Sequence, residues 1–322
     1  MFLNLEPAYS LAPAIFALLI LSGHLLFINL SESFPPFIAV YCVLCSYMLD
    51  GSSSFPTNGV VSTEWLNDNL NDPSLRILNA GQFLAFTQSR IPGATHLRLG
   101  SKLKDEKLYN TLIDGAVFEN AVSKAGISND NKVVVYSTTS SKVATRTWWV
   151  FKRFGMDVAI LDGGFQKWKA EGYEVDNNDP IARQPGTFKR DEIDGVLVTM
   201  QDLEATLKND DALIVDVRTP DEYNGVRVKN KRGGHVPGAI NIPHTDFLDE
   251  DKGTFLADDE LKDIARSAGL PDPENAKKIV TYCQSGVRAT LAALALEKIG
   301  YDVAVYERSM LEWQNEKETP LE

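Results

Sequence analysis

The sequence predicts an α/β protein built as two similar units in tandem, each a mostly parallel sheet flanked by helices. Three observations lead there. Short β-branched runs alternate with segments whose apolar residues fall at helical spacing, the pattern of strand and helix units that pair in parallel. A set of residues in the first unit returns in the second at a constant displacement of 145, the signature of an internal duplication. Of the two matching strand-to-helix junctions, only the second carries a cysteine, Cys283.

The 322 residues are enough for two domains of ordinary size. With 44% hydrophobic and 24% charged residues the chain has the composition of a globular protein with a real core. Its formal net charge of −12 argues against a nucleic-acid partner, which would need a basic face. The three cysteines form no disulfide framework.

Residues 1–54 stand apart as a hydrophobic N-terminal segment. Leu11 to Leu30 carries no charge, and neither does Ser33 to Leu49, so length alone would permit a membrane-spanning helix. No Lys or Arg precedes Arg76, which removes the basic start of a secretory signal, the arginines of a transit peptide and the charge bias that orients a span. The expectation is a cytoplasmic protein. The alternatives are a membrane anchor making contact through residues 11–49, or an extension ahead of a start at Met48. Cys42-Val-Leu-Cys45 has the spacing of a redox or metal pair but lies among apolar neighbours, and it reads as apolar filler rather than a metal site.

The first unit runs over 55–175. Ser62 or Thr63 caps a helix through Leu70. Arg76 to Asn79 and Lys132 to Tyr136 read as strands, with Ile91-Pro-Gly-Ala94 a turn between them. Val143 to Phe154 is a helix closed by Gly155, and Asp157 to Leu161 a last strand before a short helix bearing Trp168. Residues 176–197, rich in Asp, Asn, Pro and Gly, read as a linker.

The second unit, 198–322, repeats this order. Val236-Pro-Gly-Ala239 answers Ile91-Pro-Gly-Ala94, and Gly300, Asp302, Val303, Ala304 and Trp313 answer Gly155, Asp157, Val158, Ala159 and Trp168. Thr199 is the expected N-cap of its first helix. Ala212 to Arg218 is a strand ending in Asp216-Val-Arg218, which in isolation would pass for a surface ion pair worth under ~1 kcal/mol. His235 and His244 flank prolines without ligand spacing and read as structural.

The junction itself is the most informative stretch. Ile279 to Tyr282 form a buried strand, and the Ala/Leu-rich run 289–299 forms a helix stopped by Gly300. Cys283 therefore sits in a short loop whose main-chain N–H groups, together with the positive end of the helix dipole, can converge on its sulfur. Such donors favour thiolate over thiol. Arg288, at the helix entrance, adds a fixed positive charge suited to an anion. The counterpart of Cys283 is Ser137, in Ser137-Thr-Thr-Ser-Ser141-Lys142, and an unactivated Ser is a poor nucleophile.

Cys283-Gln-Ser-Gly-Val-Arg288 resembles the active loop of rhodanese-type sulfurtransferases, in which a Cys takes sulfane sulfur, becomes a persulfide and hands the sulfur on. Related cell-cycle protein phosphatases carry five residues between Cys and Arg, whereas here there are four, Gln284, Ser285, Gly286 and Val287. The resemblance covers about Val60 to Glu322 and implies two tandem rhodanese-like domains, the first non-catalytic. It implies Cys283 as the catalytic residue and the loop with Arg288 as the binder of a small anionic sulfur donor. Asp216 and Arg218 would support the loop, and neither metal nor organic cofactor is required. Arg227, Lys229, Lys231 and Arg232 form a basic loop, of which Arg232 is taken as a contributor to substrate binding.

Bacterial tandem thiosulfate sulfurtransferases look most like this region, which points to thiosulfate as donor and cyanide or a thiol as acceptor. Mercaptopyruvate enzymes place an Arg where Glu222 stands and usually a Gly where Gln284 stands. A 3-mercaptopyruvate sulfurtransferase, and a persulfide carrier or interaction protein without rapid turnover, remain the alternatives. Ser309-Met-Leu-Glu-Trp313 matches a family segment, except that Arg308 stands where the family usually has Gly.

Overall fold

The protein was analysed as a computed structural model, in which residues 55–56, 58–99, 113–180 and 182–322 are described in full, and 16–21 and 24–29 by their backbone alone. Contacts divide the chain into one unit ending at Ser53 and a second, compact unit from Ser54 to Glu322. In the first, Phe16–Leu21 and His24–Asn29 pair as an antiparallel hairpin. This replaces the helix that hydrophobic length alone would have permitted over that stretch. The rest of 1–54, including Cys42 and Cys45, lies outside the described residues. Among the described residues no helix is long and apolar enough to cross a membrane.

The second unit holds both predicted domains. Each contains a five-stranded sheet whose pairs are all parallel. In the first the order is Val60–Val61, Val158–Leu161, Lys132–Tyr136, Leu75–Asn79, Thr95–His96. In the second it is Leu197–Val198, Val303–Tyr306, Lys278–Tyr282, Ala212–Asp216, Ile240–Asn241. The two orders correspond strand for strand, so the duplication seen in the sequence is a duplication of topology. The central strands are buried on both faces, which explains their unbroken β-branched runs.

Alternation along those strands divides the core into layers. Val134 and Tyr136 face an outer cluster around Trp168, and Val280 and Tyr282 face an equivalent one around Trp313. Val133, Val135 and Ile279 point the other way, into a cluster shared by both domains. Its centre is the packing of helix Ser141–Arg153 on helix Val287–Lys298. Equivalent positions meet across this seam: Thr145 Oγ1 lies 3.3 Å from Thr290 Oγ1, and Lys152 pairs with Glu297.

The stretch expected to be a linker is a strap on the first domain. The Gly186 amide donates to Ser123 O at 2.7 Å, and Lys189 N to Asn129 Oδ1 at 2.7 Å. Phe188 is buried, its ring 5.5 Å from Phe118. Gly186 is required there, because a Cβ would lie 2.2 Å from the Ile127 carbonyl oxygen.

Candidate active site

Strand Lys278–Tyr282 delivers Cys283 to the C-terminal edge of the sheet, and helix Val287–Lys298 starts four residues later. Gly286 makes the turn possible. It takes φ +81°, and a Cβ there would stand 2.3 Å from the Glu307 carbonyl oxygen, so both the left-handed backbone and the close approach exclude other residues. The loop is tied down on its far side by the next strand-to-helix junction. Cys283 N donates to Ser309 Oγ at 3.1 Å, Met310 N to Cys283 O at 3.2 Å, and Leu311 N to Gln284 O at 2.8 Å. Ser309 holds φ +53° to do this, a strained value for a residue with a side chain. Arg308 turns outward to Glu312, at 3.6 Å.

Cys283 is a free cysteine, 1% exposed, while the rim residues Gln284, Ser285, Val287 and Arg288 are half-buried. The Arg288 guanidinium grips Glu222 through both oxygens, at 2.7 and 3.0 Å. Burial works against its charge. The hydrogen bonds to Glu222, and the charge and hydrogen bond of the Cys283 sulfur, more than offset this and raise its pKa. Arg288 is thus anchored on Glu222 with its charge within electrostatic reach of the sulfur. Glu222 also receives Lys229 at 2.6 Å and caps its own short helix through Thr219. Burial alone would raise the Glu222 carboxyl, but the bonds from Arg288 and Lys229 hold it well below the usual carboxylate range.

Beneath the loop lie Asp216 and Arg218, at most 1% exposed, with contacts of 2.6 to 3.0 Å between guanidinium and carboxylate. Arg218 Nη2 also donates to Gly234 O at 2.9 Å. The pair is therefore an internal strut, set against Tyr282 at the C-terminal end of the strand, next to Cys283, with the guanidinium 5.9 Å from that ring. The sequence placed Arg232 with the substrate binders, but the structure commits it elsewhere. Its nitrogens donate to the carbonyls of Trp313, Gln314, Glu316 and Thr319, closing the C-terminal segment.

The first domain shows the same architecture with different chemistry. Gly81 N donates to Asn79 Oδ1 at 2.9 Å, as Arg218 N does to Asp216 Oδ1 at 2.9 Å. The loop amides of Thr139 and Ser140 close on Ser137 Oγ at 3.1 and 3.2 Å, so this junction does aim main-chain donors at its first side chain. No thiol stands there.

Two features were not legible in the sequence. Arg146 of the first domain forms a buried ion pair with Glu307 of the second, directly behind Gly286. His244, read as structural, lies against the first domain, its Nε2 3.2 Å from Lys142 Nζ. Its ring is buried, and that burial, with the charges of Lys142 and Arg288, pushes its pKa down to about 4. The unfolded chain binds this proton below about pH 6.5 and the folded one does not, so stability falls as pH drops from about 6.5 to 4, by roughly 1.4 kcal/mol per pH unit. Denaturant melts of wild type and His244→Gln should differ by that slope within the window and run parallel above it.

Comparisons with known proteins give the family of the fold. The model of the rhodanese-like domain matches residues 62–171 and again 199–316. A Mycobacterium bovis protein named "Putative thiosulfate sulfurtransferase 1" is 30% identical over 278 residues, covering 82% of this chain and 97% of that one. An Arabidopsis thaliana protein named thiosulfate/3-mercaptopyruvate sulfurtransferase 2 is 29% identical over 298 residues, covering 81% of this chain and 86% of its own. The crystal structure of SseA from Escherichia coli, a 3-mercaptopyruvate sulfotransferase by its description, superimposes with a TM-score of 0.69 at 26% identity, over 79% of this chain and 99% of that one. Matched over most of its length and in both halves, the chain belongs to the rhodanese-like family and carries two of its domains in tandem.

Proposed function

We propose that the protein is a sulfurtransferase that moves sulfane sulfur from thiosulfate to a thiol or cyanide through a persulfide on Cys283. The observation that carries this reading is the six-residue junction from Cys283 to Arg288, five residues on, in which Arg288 is held by Glu222 with its charge beside the Cys283 sulfur. The Cys283 thiolate attacks the outer sulfur of thiosulfate. The S–S bond of the donor breaks, and sulfite leaves with the bonding pair. The acceptor then attacks the terminal persulfide sulfur and returns Cys283 as thiolate, so no electron is left over and no redox partner is needed. A sulfur so nearly covered suits a donor that presents a single outer sulfur atom.

The names of the relatives cover both thiosulfate and 3-mercaptopyruvate as donors. Glu222 favours thiosulfate, because a carboxylate where mercaptopyruvate enzymes place an Arg offers no counterion to the carboxylate of that donor. Incubation with thiosulfate should add one sulfur mass to the intact protein, mapped to Cys283, and thiosulfate should load faster than mercaptopyruvate in a side-by-side panel. An unchanged mass with both donors would refute the sulfurtransferase reading, and faster loading from mercaptopyruvate would reassign the donor.

A further inference from the structure

Four basic side chains of the second domain that the sequence associated with the Cys283 site are neutralised or occupied by the protein itself. Arg288 and Lys229 converge on Glu222, and Arg218 is matched to Asp216. Arg232 is held by main-chain carbonyls of the C-terminal segment. Lys142 is different: the partner found for its ammonium is an uncharged imidazole, Nε2 of His244 at 3.2 Å. It comes from the cysteine-free first domain, and its side chain is half-buried where the two domains face each other.

Two further observations suggest that this charge is there to be used. Lys142 lies in the first turn of helix Ser141–Arg153, where the macrodipole is positive and a cation is disfavoured. His244 is 7% exposed, and helices Ser141–Arg153 and Val287–Lys298 meet near their N-terminal ends, Thr145 Oγ1 lying 3.3 Å from Thr290 Oγ1, so the Lys142 end of one lies beside the Arg288 end of the other. The His244 main-chain N–H donates to the Val217 carbonyl at 3.0 Å, its ring Nδ1 is buried without a hydrogen-bond partner, and its Nε2 faces Lys142. An ammonium only donates, so in the neutral ring the lone pair is on Nε2, directed at Lys142, and the proton is on Nδ1. A neutral acceptor orients the ammonium without cancelling its charge.

We propose that Lys142 anchors the oxyanion of the anionic sulfur donor from across the domain boundary, and that His244 is the positioning residue that aims it. This rests on the sulfurtransferase reading of Cys283. The sulfonate oxygens of thiosulfate and of the departing sulfite are the chemical class such an ammonium takes. Arg288, already gripping Glu222, is left to attend the sulfur. The inactive domain then contributes to the site directly as well as burying one side of its partner.

The test uses full-length wild type, Lys142→Gln, Lys142→Arg and His244→Gln, with two readouts on Cys283 followed by peptide mass mapping. The first is the thiosulfate concentration that half-saturates persulfide formation. The second is the rate of alkylation by iodoacetate relative to iodoacetamide, reagents of similar size that differ in charge. Lys142→Gln should raise the half-saturating thiosulfate about 10-fold or more, the value of a charge-assisted hydrogen bond. It should lower the iodoacetate to iodoacetamide ratio and leave the iodoacetamide rate unchanged. Lys142→Arg should restore most of both, and His244→Gln should fall between. Unchanged thiosulfate dependence in Lys142→Gln would overturn the proposal. So would an iodoacetamide rate that falls in step, because that marks a structural loss rather than a lost charge. If the wild type takes no sulfur from thiosulfate or mercaptopyruvate, the sulfurtransferase reading fails, while the alkylation ratio still decides whether Lys142 draws anions to Cys283.

Discussion

Cys283→Ser should abolish sulfur loading and reduce thiosulfate turnover by on the order of 10⁴-fold or more, because a hydroxyl at neutral pH is neither ionised nor able to carry a persulfide. It should do so without unfolding the protein. Introducing a buried hydroxyl ordinarily costs about 1–3 kcal/mol when it finds no partner. The first domain shows how such a loop accommodates one: Ser137 occupies the matching position, and its Oγ accepts from the Thr139 and Ser140 amides. The variant is therefore expected to melt within a few degrees of wild type while its intact mass stays fixed in thiosulfate. Retention of the added sulfur in Cys283→Ser would move the chemistry to another residue.

Arg218→Met should be the most destabilising single change around the site. It leaves the Asp216 carboxylate, 0% exposed, without its cation at the base of the loop. Removing one member of a buried ion pair typically costs about 3–5 kcal/mol, since the survivor keeps its desolvation and loses its partner. For a protein of this size that corresponds to a fall in melting temperature of roughly 10 °C. Replacing both members, as Asp216→Asn with Arg218→Met, should recover part of the loss because no charge is then stranded. A loss below about 1 kcal/mol in the single variant would mean that the pair behaves like an exposed one.

The fold was legible because its signals are local. Strand Lys132–Tyr136 falls where the unbroken apolar run put it, and Thr199 caps helix Met200–Asn209 as expected. The duplication could be read from turn and Gly positions alone. The Cys283 junction was legible for the same reason: strand, loop and helix are contiguous in sequence.

What escaped notice lies between distant segments. Lys142 and His244 are 102 residues apart in the chain, and Arg146 and Glu307 are 161 apart, so no window of sequence contains either pair. Arg232 misled for the opposite reason. A run of basic residues looks like an anion collector, but a count of charges does not show which carbonyls lie within reach of each guanidinium. The Asp-Gly-Pro-rich strap likewise looked loose, because its hydrogen bonds run to Ser123 and Asn129, far upstream.

The helix that follows the reactive loop is buried continuously from Ala289 to Leu296. A helix covered on every side has no face prepared for water. Excised at the strap, the cysteine-bearing half would present that greasy rod to solvent and be driven to aggregate, although it holds every residue of the loop. The cover that the cysteine-free half supplies is thus part of what keeps the other half soluble.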